Sequence, residues 1–229
     1  MNTRNIFIVI ALLIIIGGGY MYLNLKPAVV TENAADVAEQ IDNTESEEFA
    51  TYRISQDESK VSFMIDEVLN GKDFTAVGET NQVAGDISVS LTDQAKGSIG
   101  EIVVNARTIK TDSEKRDGAI SKFILKSDQD INQFITFKPR AITPISVGAE
   151  GVAEMSRYQI AGDLTIAGVT RPVTFAIAAQ SITEEKIIAS GEARVSRNDF
   201  GLTVPSVPFV ASVSDEVTLK ADIVANRIR

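Results

Sequence analysis

Three residue types are missing from this 229-residue chain: histidine, cysteine and tryptophan. Without histidine there is no imidazole base, no Ser-His-Asp triad and no histidine-ligated metal. Without cysteine there is no disulfide, no thiolate nucleophile and no cysteine to carry a lipid anchor. The side chains left for chemistry are those of Asp, Glu, Lys, Arg, Ser, Thr and Tyr. We therefore predict a protein that is not an enzyme and that holds no metal or cofactor.

Basic residues are also few relative to acidic ones, and the net charge of −9 is unevenly distributed. Residues 27–48 contain no basic and no aromatic residue, a composition typical of a disordered, solvated spacer; an acidic docking motif is the alternative. The remaining body is only mildly acidic, which argues against nucleic acid as a partner. The acidic residues of the spacer are Glu32, Asp36, Glu39, Asp42, Glu45, Glu47 and Glu48.

The amino terminus carries a long uncharged run, 18 residues over positions 6–23. As a helix this run would span about 27 Å, close to the roughly 30 Å hydrocarbon core of a bilayer. Tyr20 and Tyr22 favour an uncleaved signal anchor, whereas Gly17-x-Gly19 favours a cleaved signal peptide. We predict a transmembrane anchor over residues 1–26, an acidic disordered linker over 27–48 and an exported domain over 49–229.

From Phe49 onward, apolar and polar residues alternate with a period of two, which is the pattern of half-buried β-strands. Repeated strands of this kind predict an all-β antiparallel sheet that is closed as a barrel or folded as a sandwich. The clearest runs cover 83–91, 158–166, 173–179, 187–195 and 217–225, and shorter ones cover 52–55, 61–65, 102–109 and 141–147.

A short helix is predicted near residues 112–126, between two strands. Thr111 and Glu114 have the spacing of a capping box. Ile120, Phe123 and Ile124 then recur at helical spacing, so this apolar stripe should cover a sheet edge or a barrel mouth.

Several positions on the apolar strand faces hold small residues, among them Gly162, Ala189, Gly191 and Ala193. An eight-stranded barrel can be filled by side chains or can hold one small ligand. The small residues therefore either leave space for a ligand or receive the helix and the phenylalanine rings.

Two polar motifs, Arg116-Asp117 and Arg197-Asn198-Asp199, each have two interpretations. They are ion pairs or caps, or they form a polar mouth that orients a ligand headgroup. The paired carboxylates Glu184-Glu185 and Asp215-Glu216 are weak candidates for hydrolysis, because adjacent strand residues face opposite ways.

Several segments, in this order and spacing, resemble the YceI-like family of lipocalin-like, polyisoprenoid-binding proteins of bacterial envelopes. The resemblance runs from about Thr51 to the carboxyl terminus. The chain departs from the family pattern at Gly118-Ala119-Ile120, where a His-Leu pair usually follows Arg-Asp. The matching segments are 52–54, 59–63, 83–87, 109–112, 116–117, 162–173, 197–201 and 213–217.

The resemblance implies an extended, eight-stranded antiparallel barrel with a tunnel for a long amphiphilic lipid, such as a polyprenyl chain or a quinone tail. We expect a carrier or sequestering protein, held in the cytoplasmic membrane by the N-terminal helix, with its barrel facing the periplasm or exterior. A packed-barrel adaptor without a lipid ligand is the alternative, and a homodimer is left open. The residues expected to bind the ligand are Phe63, Ile65, Ile87, Val89, Val104, Leu164, Ile166, Phe175 and Ile177, with Phe123 and Phe200 near the tunnel ends.

Overall fold

The computed structural model describes residues 26–41, 49–90, 96–145, 156–205 and 210–228. In these ranges, twelve antiparallel strands form one sheet and the helices are short. The strands are β1 (Phe49–Ile54), β2 (Lys60–Leu69), β3 (Lys72–Thr80), β4 (Val83–Ala84), β5 (Asp86–Ser90), β6 (Gly97–Ile99), β7 (Ile102–Asn105), β8 (Phe134–Ile145), β9 (Ser156–Ile166), β10 (Val169–Ile182), β11 (Lys186–Ser196) and β12 (Val210–Arg227). The helices are α1 (Ala34–Val37), α2 (Glu114–Ala119) and a π-helical turn (Ile120–Ile124), with single 3-10 turns at Ala106–Thr108, Asp130–Asn132 and Asn198–Phe200.

The all-β antiparallel prediction is confirmed, but the predicted count of eight strands is wrong for the described residues. The run over 83–91 reads as one strand, yet Gly85, with a φ of 153°, divides it into β4 and β5. A Cβ at Gly85 would meet the Ile102 side chain at 2.6 Å, so only glycine fits this bend. Strands β3 and β6 add to the count because they carry too little apolar alternation to be recognised.

Strand β12 organises the sheet. Its 18 residues span roughly 60 Å at about 3.3 Å per residue, which makes the barrel elongated. One edge pairs with β11, and the other pairs first with β2 and then with β1. The sheet continues from β11 through β10, β9, β8 and β7 to β4, and from β1 to β5. Because β4 and β5 are separated only by Gly85, the two ends of this path meet and the sheet curls into a barrel.

The predicted helix near 112–126 is present in a shorter form, beginning at Glu114 and passing into the π-helical turn. The predicted capping box is wrong, because Ser113 is the N-cap and its side chain makes no capping bond. Instead, Oδ1 of the buried Asp117 accepts hydrogen bonds from the backbone N–H and the hydroxyl of Thr111, both at 2.7 Å. Asp117 therefore fixes the start of the helix, as the interpretation of Arg116-Asp117 as an ion pair or cap predicts.

Residues 31–41 belong to the predicted disordered linker, but they lie against the barrel. Ala34 is 0% exposed and packs with Ala84 and Val103. The hydroxyl of Thr31 donates to Oε1 of Gln133 at 2.6 Å, and Nδ2 of Asn105 donates to the Glu32 carbonyl at 2.7 Å. The prediction of a free spacer is therefore wrong for these residues, because small side chains and backbone groups find partners that composition does not reveal.

No helix in the described ranges is long and apolar enough to cross a membrane. The predicted anchor over residues 1–26 lies outside the described residues, apart from Lys26.

Candidate functional site

The candidate site is an apolar cavity of about 560 Å³ inside the barrel. This volume falls in the range of small-molecule sites, which is about 300–1,000 Å³. The lining includes members of both large packed clusters of the barrel: Ile120, Leu125 and Phe200 from one, and Ile54 and Val83 from the other. A methylene group fills about 27 Å³, close to the roughly 30 Å³ of a water molecule in the liquid, so the cavity matches a chain of about 20 carbons.

The structure brings ten of the eleven residues expected to bind a ligand to the wall of this cavity. They come from five strands and the 3-10 turn after β11, so the alternation correctly identifies the inner faces of these strands. The ten are Phe63, Ile65, Ile87, Val89, Val104, Leu164, Ile166, Phe175, Ile177 and Phe200.

Phe123 is the exception, because the described cavity lining does not include it. The sequence prediction assumes a regular α-helix, in which residues 120, 123 and 124 share one face. The backbone is π-helical here, and Leu125 N–H donates to the Ile120 carbonyl at 2.8 Å, across five residues. The wider turn aligns Ile120 with Ile124 and Leu125, which do line the cavity, and it moves Phe123 away.

The small residues of the inner faces receive side chains from neighbouring strands. A Cβ at Gly162 would lie 2.7 Å from the Phe137 ring, and one at Gly191 would lie 2.6 Å from the Ile177 side chain. The Phe137 ring also meets Phe175 edge to face, with ring centroids 5.0 Å apart. Both interpretations of the small residues therefore hold in part: rings and branched side chains fill some of the space, and a cavity remains.

Glu67 and Arg116 form a polar pair in the wall of this apolar cavity. The Glu67 side chain is only 9% exposed, and its Oε1 lies 3.1 Å from Nη2 of Arg116. The guanidinium of Arg116 also pairs with Asp112 and lies 5.2 Å from the centre of the Phe74 ring. Sequence reasoning missed Glu67, although it continues the inward phase of positions 61, 63 and 65 on β2.

Arg197 also lines the cavity, and backbone oxygens hold it in place. Its Nε donates to the Ser214 carbonyl at 2.9 Å, and its Nη1 donates to the Leu202 carbonyl at 3.0 Å. The nearby carboxylate of Asp215 is turned elsewhere, since it accepts from the Ser196 hydroxyl at 2.7 Å and from the Asn198 N–H at 3.1 Å. The Arg197 motif therefore combines a structural role with a position on the cavity wall.

The carboxylate pairs do not form a catalytic or metal-binding arrangement in the described part of the chain. Glu216 pairs with the exposed Arg194 at 3.3 Å, whereas Asp215 caps the turn after β11. Glu184 and Glu185 lie in the turn between β10 and β11. Within the described ranges, no three Asp or Glu side chains gather as a metal ion would require.

Comparison with known proteins gives a family match. The model of the YceI-like domain matches residues 52–225. No curated protein matches the chain.

Similar solved structures include BcnA of Burkholderia cenocepacia, with 19% identity, a TM-score of 0.58, and coverage of 75% of this chain and 98% of that one. A polyisoprenoid binding domain from Saccharophagus degradans, implicated in plant cell wall breakdown, has 13% identity and a TM-score of 0.58, covering 78% and 99% of the two chains. The YCEI protein of Campylobacter jejuni has 18% identity and a TM-score of 0.55, covering 66% and 85%. At these identities the three structures establish a shared fold.

Proposed function

This chain belongs to the YceI-like domain family, and we propose that its barrel binds, carries or sequesters a long-chain isoprenoid or a similar amphiphilic lipid, without enzymatic chemistry. The observation that carries this proposal is the apolar cavity of about 560 Å³, which a solidly packed adaptor barrel would lack. The polyisoprenoid binding domain from Saccharophagus degradans, with which the chain shares its fold, points to the same ligand class.

The energetics are adequate for such a ligand. Burying about 20 carbons contributes roughly 16 kcal/mol before ordering costs, at about 0.8 kcal/mol per carbon. At about 0.3 kcal/mol net per heavy atom, the chain alone gives roughly 6 kcal/mol. That value corresponds to a dissociation constant of tens of micromolar, so apolar contact alone supports reversible binding.

The proposed location is the outer side of the cytoplasmic membrane, with the barrel in the periplasm or outside the cell. The uncharged run over residues 6–23 supports it, because this run has the length of a signal anchor. The mass of the mature protein in membrane and soluble fractions tests the anchor. A soluble chain that has lost its first 20 or so residues would replace the anchor with a cleaved signal peptide.

The lipid proposal is tested by mass spectrometry of solvent extracts from the full-length chain, purified from membranes in an amphipathic polymer. Ala189 lines the cavity, so Ala189→Trp should fill it and abolish enrichment of one lipid class over bulk membrane lipid. Ser190→Trp places the same ring one residue along β11, on the opposite face, and should leave the enrichment unchanged. A wild-type extract that matches bulk membrane lipid, with no uptake of an added fluorescent polyprenyl analogue, would contradict the proposal.

A further inference from the structure

The described wall of the cavity holds a guanidinium that has no carboxylate partner. Arg197 is fixed by hydrogen bonds from Nε to Ser214, from Nη1 to Leu202 and, at 3.3 Å, from Nη1 to the Asn198 side chain. Within the described ranges, its Nη2 group has no hydrogen-bond partner and none of its nitrogens pairs with an acid. A fixed guanidinium with free N–H donors on an apolar wall is suited to an anionic group that accepts two hydrogen bonds.

The other polar groups lie at the same end of the cavity. Arg197 donates to the carbonyl of Ser214 in β12. The residue before Ser214, Val213, pairs with Glu67 of β2. Glu67 in turn binds Arg116. The charge of Arg116 is compensated by Glu67 and by the exposed Asp112, whereas no carboxylate of the described residues pairs with Arg197.

We propose that Arg197 binds the anionic headgroup, phosphate or carboxylate, of a single-chain lipid whose tail fills the cavity. This inference rests on the proposed function and narrows its ligand class from amphiphiles in general to anionic ones. The tail supplies the apolar contact, and the guanidinium selects the headgroup and fixes which end of the lipid lies beside β2 and β12. Hydrogen bonds to a charged group are stronger than those to a neutral hydroxyl, and an anion can accept two of them, which predicts at least a tenfold preference for the anion, about 1.4 kcal/mol.

The test compares two tritiated 20-carbon probes, geranylgeranyl monophosphate and geranylgeraniol, on the full-length chain held in an amphipathic polymer. Wild type should bind the monophosphate at least tenfold more tightly than the alcohol. Arg197→Gln should make the two affinities equal by weakening the binding of the monophosphate alone. Retained binding of the alcohol would show that the cavity is intact. Arg197→Lys should keep part of the preference, because it retains the charge but loses the planar fork.

The matched control is Arg194→Gln, the same change of charge three residues earlier on β11, at an exposed side chain that pairs with Glu216. It should bind both probes like wild type. Equal wild-type affinity for the two probes, or an unchanged preference in Arg197→Gln, would overturn the headgroup assignment while leaving the lipid proposal standing. If neither probe binds, the proposed function itself fails. Inorganic phosphate should not displace the monophosphate at comparable concentrations, and displacement would assign the site to free phosphate instead.

Discussion

At the scale of single residues, Tyr52 shows how burial couples this fold to pH. The side chain is 0% exposed, and its hydroxyl donates to the Thr183 carbonyl at 2.6 Å. Burial raises the pKa of the Tyr52 phenol above its usual 10.0; Arg227 acts in the opposite direction, and Glu184 raises the pKa further. A raised pKa means that the folded chain holds this proton more tightly than the unfolded chain.

Tyr52 should therefore make the fold sensitive to alkali. Its contribution is fully present below the unfolded pKa of about 10 and is lost as pH rises through the higher folded value. Tyr52→Phe should cost about 1 kcal/mol near pH 7, from the lost hydrogen bond. It should also reduce the fall in melting temperature between pH 7 and about pH 11, which circular dichroism can measure. An identical alkaline fall in wild type and variant would contradict this role for Tyr52.

At the scale of elements, residues 31–41 are joined to the barrel through a buried arginine. Arg107 is only 4% exposed, and its Nη1 donates to both Thr31 and Gln133 at 2.8 Å. Its Nη2 donates at 2.7 Å to Asp130, in the loop before β8. At the other end of the segment, Ile41 N–H donates to the buried Asp86 at 3.0 Å. The segment thus crosses the part of the wall where β4 and β5 separate.

Thr31→Val should loosen this segment selectively. The substitution keeps the shape of the side chain but removes the hydroxyl that joins Arg107 and Gln133, at a cost of about 1 kcal/mol. Hydrogen exchange of the backbone amides over 31–41 should accelerate, because their local opening becomes easier. Thr174→Val makes the same change at an exposed position on β10 and should leave exchange in the segment unchanged. Equal exchange in the two variants would mean that Thr31 does not hold the segment.

At the scale of the whole molecule, the barrel is long but its cavity is small. Strand β12 extends over roughly 60 Å. The volume of the cavity nevertheless corresponds to about 20 carbons, and rings such as Phe137 fill the spaces over the glycines. In the proposed lipid complex, the size of the cavity, and not the length of the barrel, would therefore set how much of the tail is shielded from water.

Affinity should therefore depend on chain length up to a limit. Isoprenoid alcohols of 10, 15 and 20 carbons should bind progressively more tightly, since each added carbon buries more apolar surface. Alcohols longer than about 20 carbons should gain little more, because the cavity volume is already used. Equilibrium dialysis across the series measures this limit. A constant gain up to 40 carbons would show that the barrel encloses far more of the chain than its cavity volume suggests.

Much of this fold is determined locally and was therefore predictable. Strict alternation fixes which face of a strand is apolar, and this identified nine of the ten predicted residues that line the cavity; the tenth, Phe200, lies in a turn. The order of the matching segments indicated the YceI-like family, which the domain match over 52–225 confirms. The alternation depends on neighbouring residues, whose geometry hardly changes with the rest of the fold, whereas the resemblance depends on the order and spacing of segments along the chain.

Other features were decided only by the tertiary structure, because they depend on residues that are far apart in the chain. The π-helical turn moved Phe123 off the cavity wall, and Gly85 divided one apparent strand between two sets of partners. Residues 31–41 look disordered by composition, yet Arg107 and Gln133, about 75 and 100 positions away from Thr31, supply partners for it. Likewise, only the positions of Ser214, Leu202 and Asp215 around Arg197 show that its Nη2 group has no partner among the described residues. The sequence specifies the charge but not its neighbours.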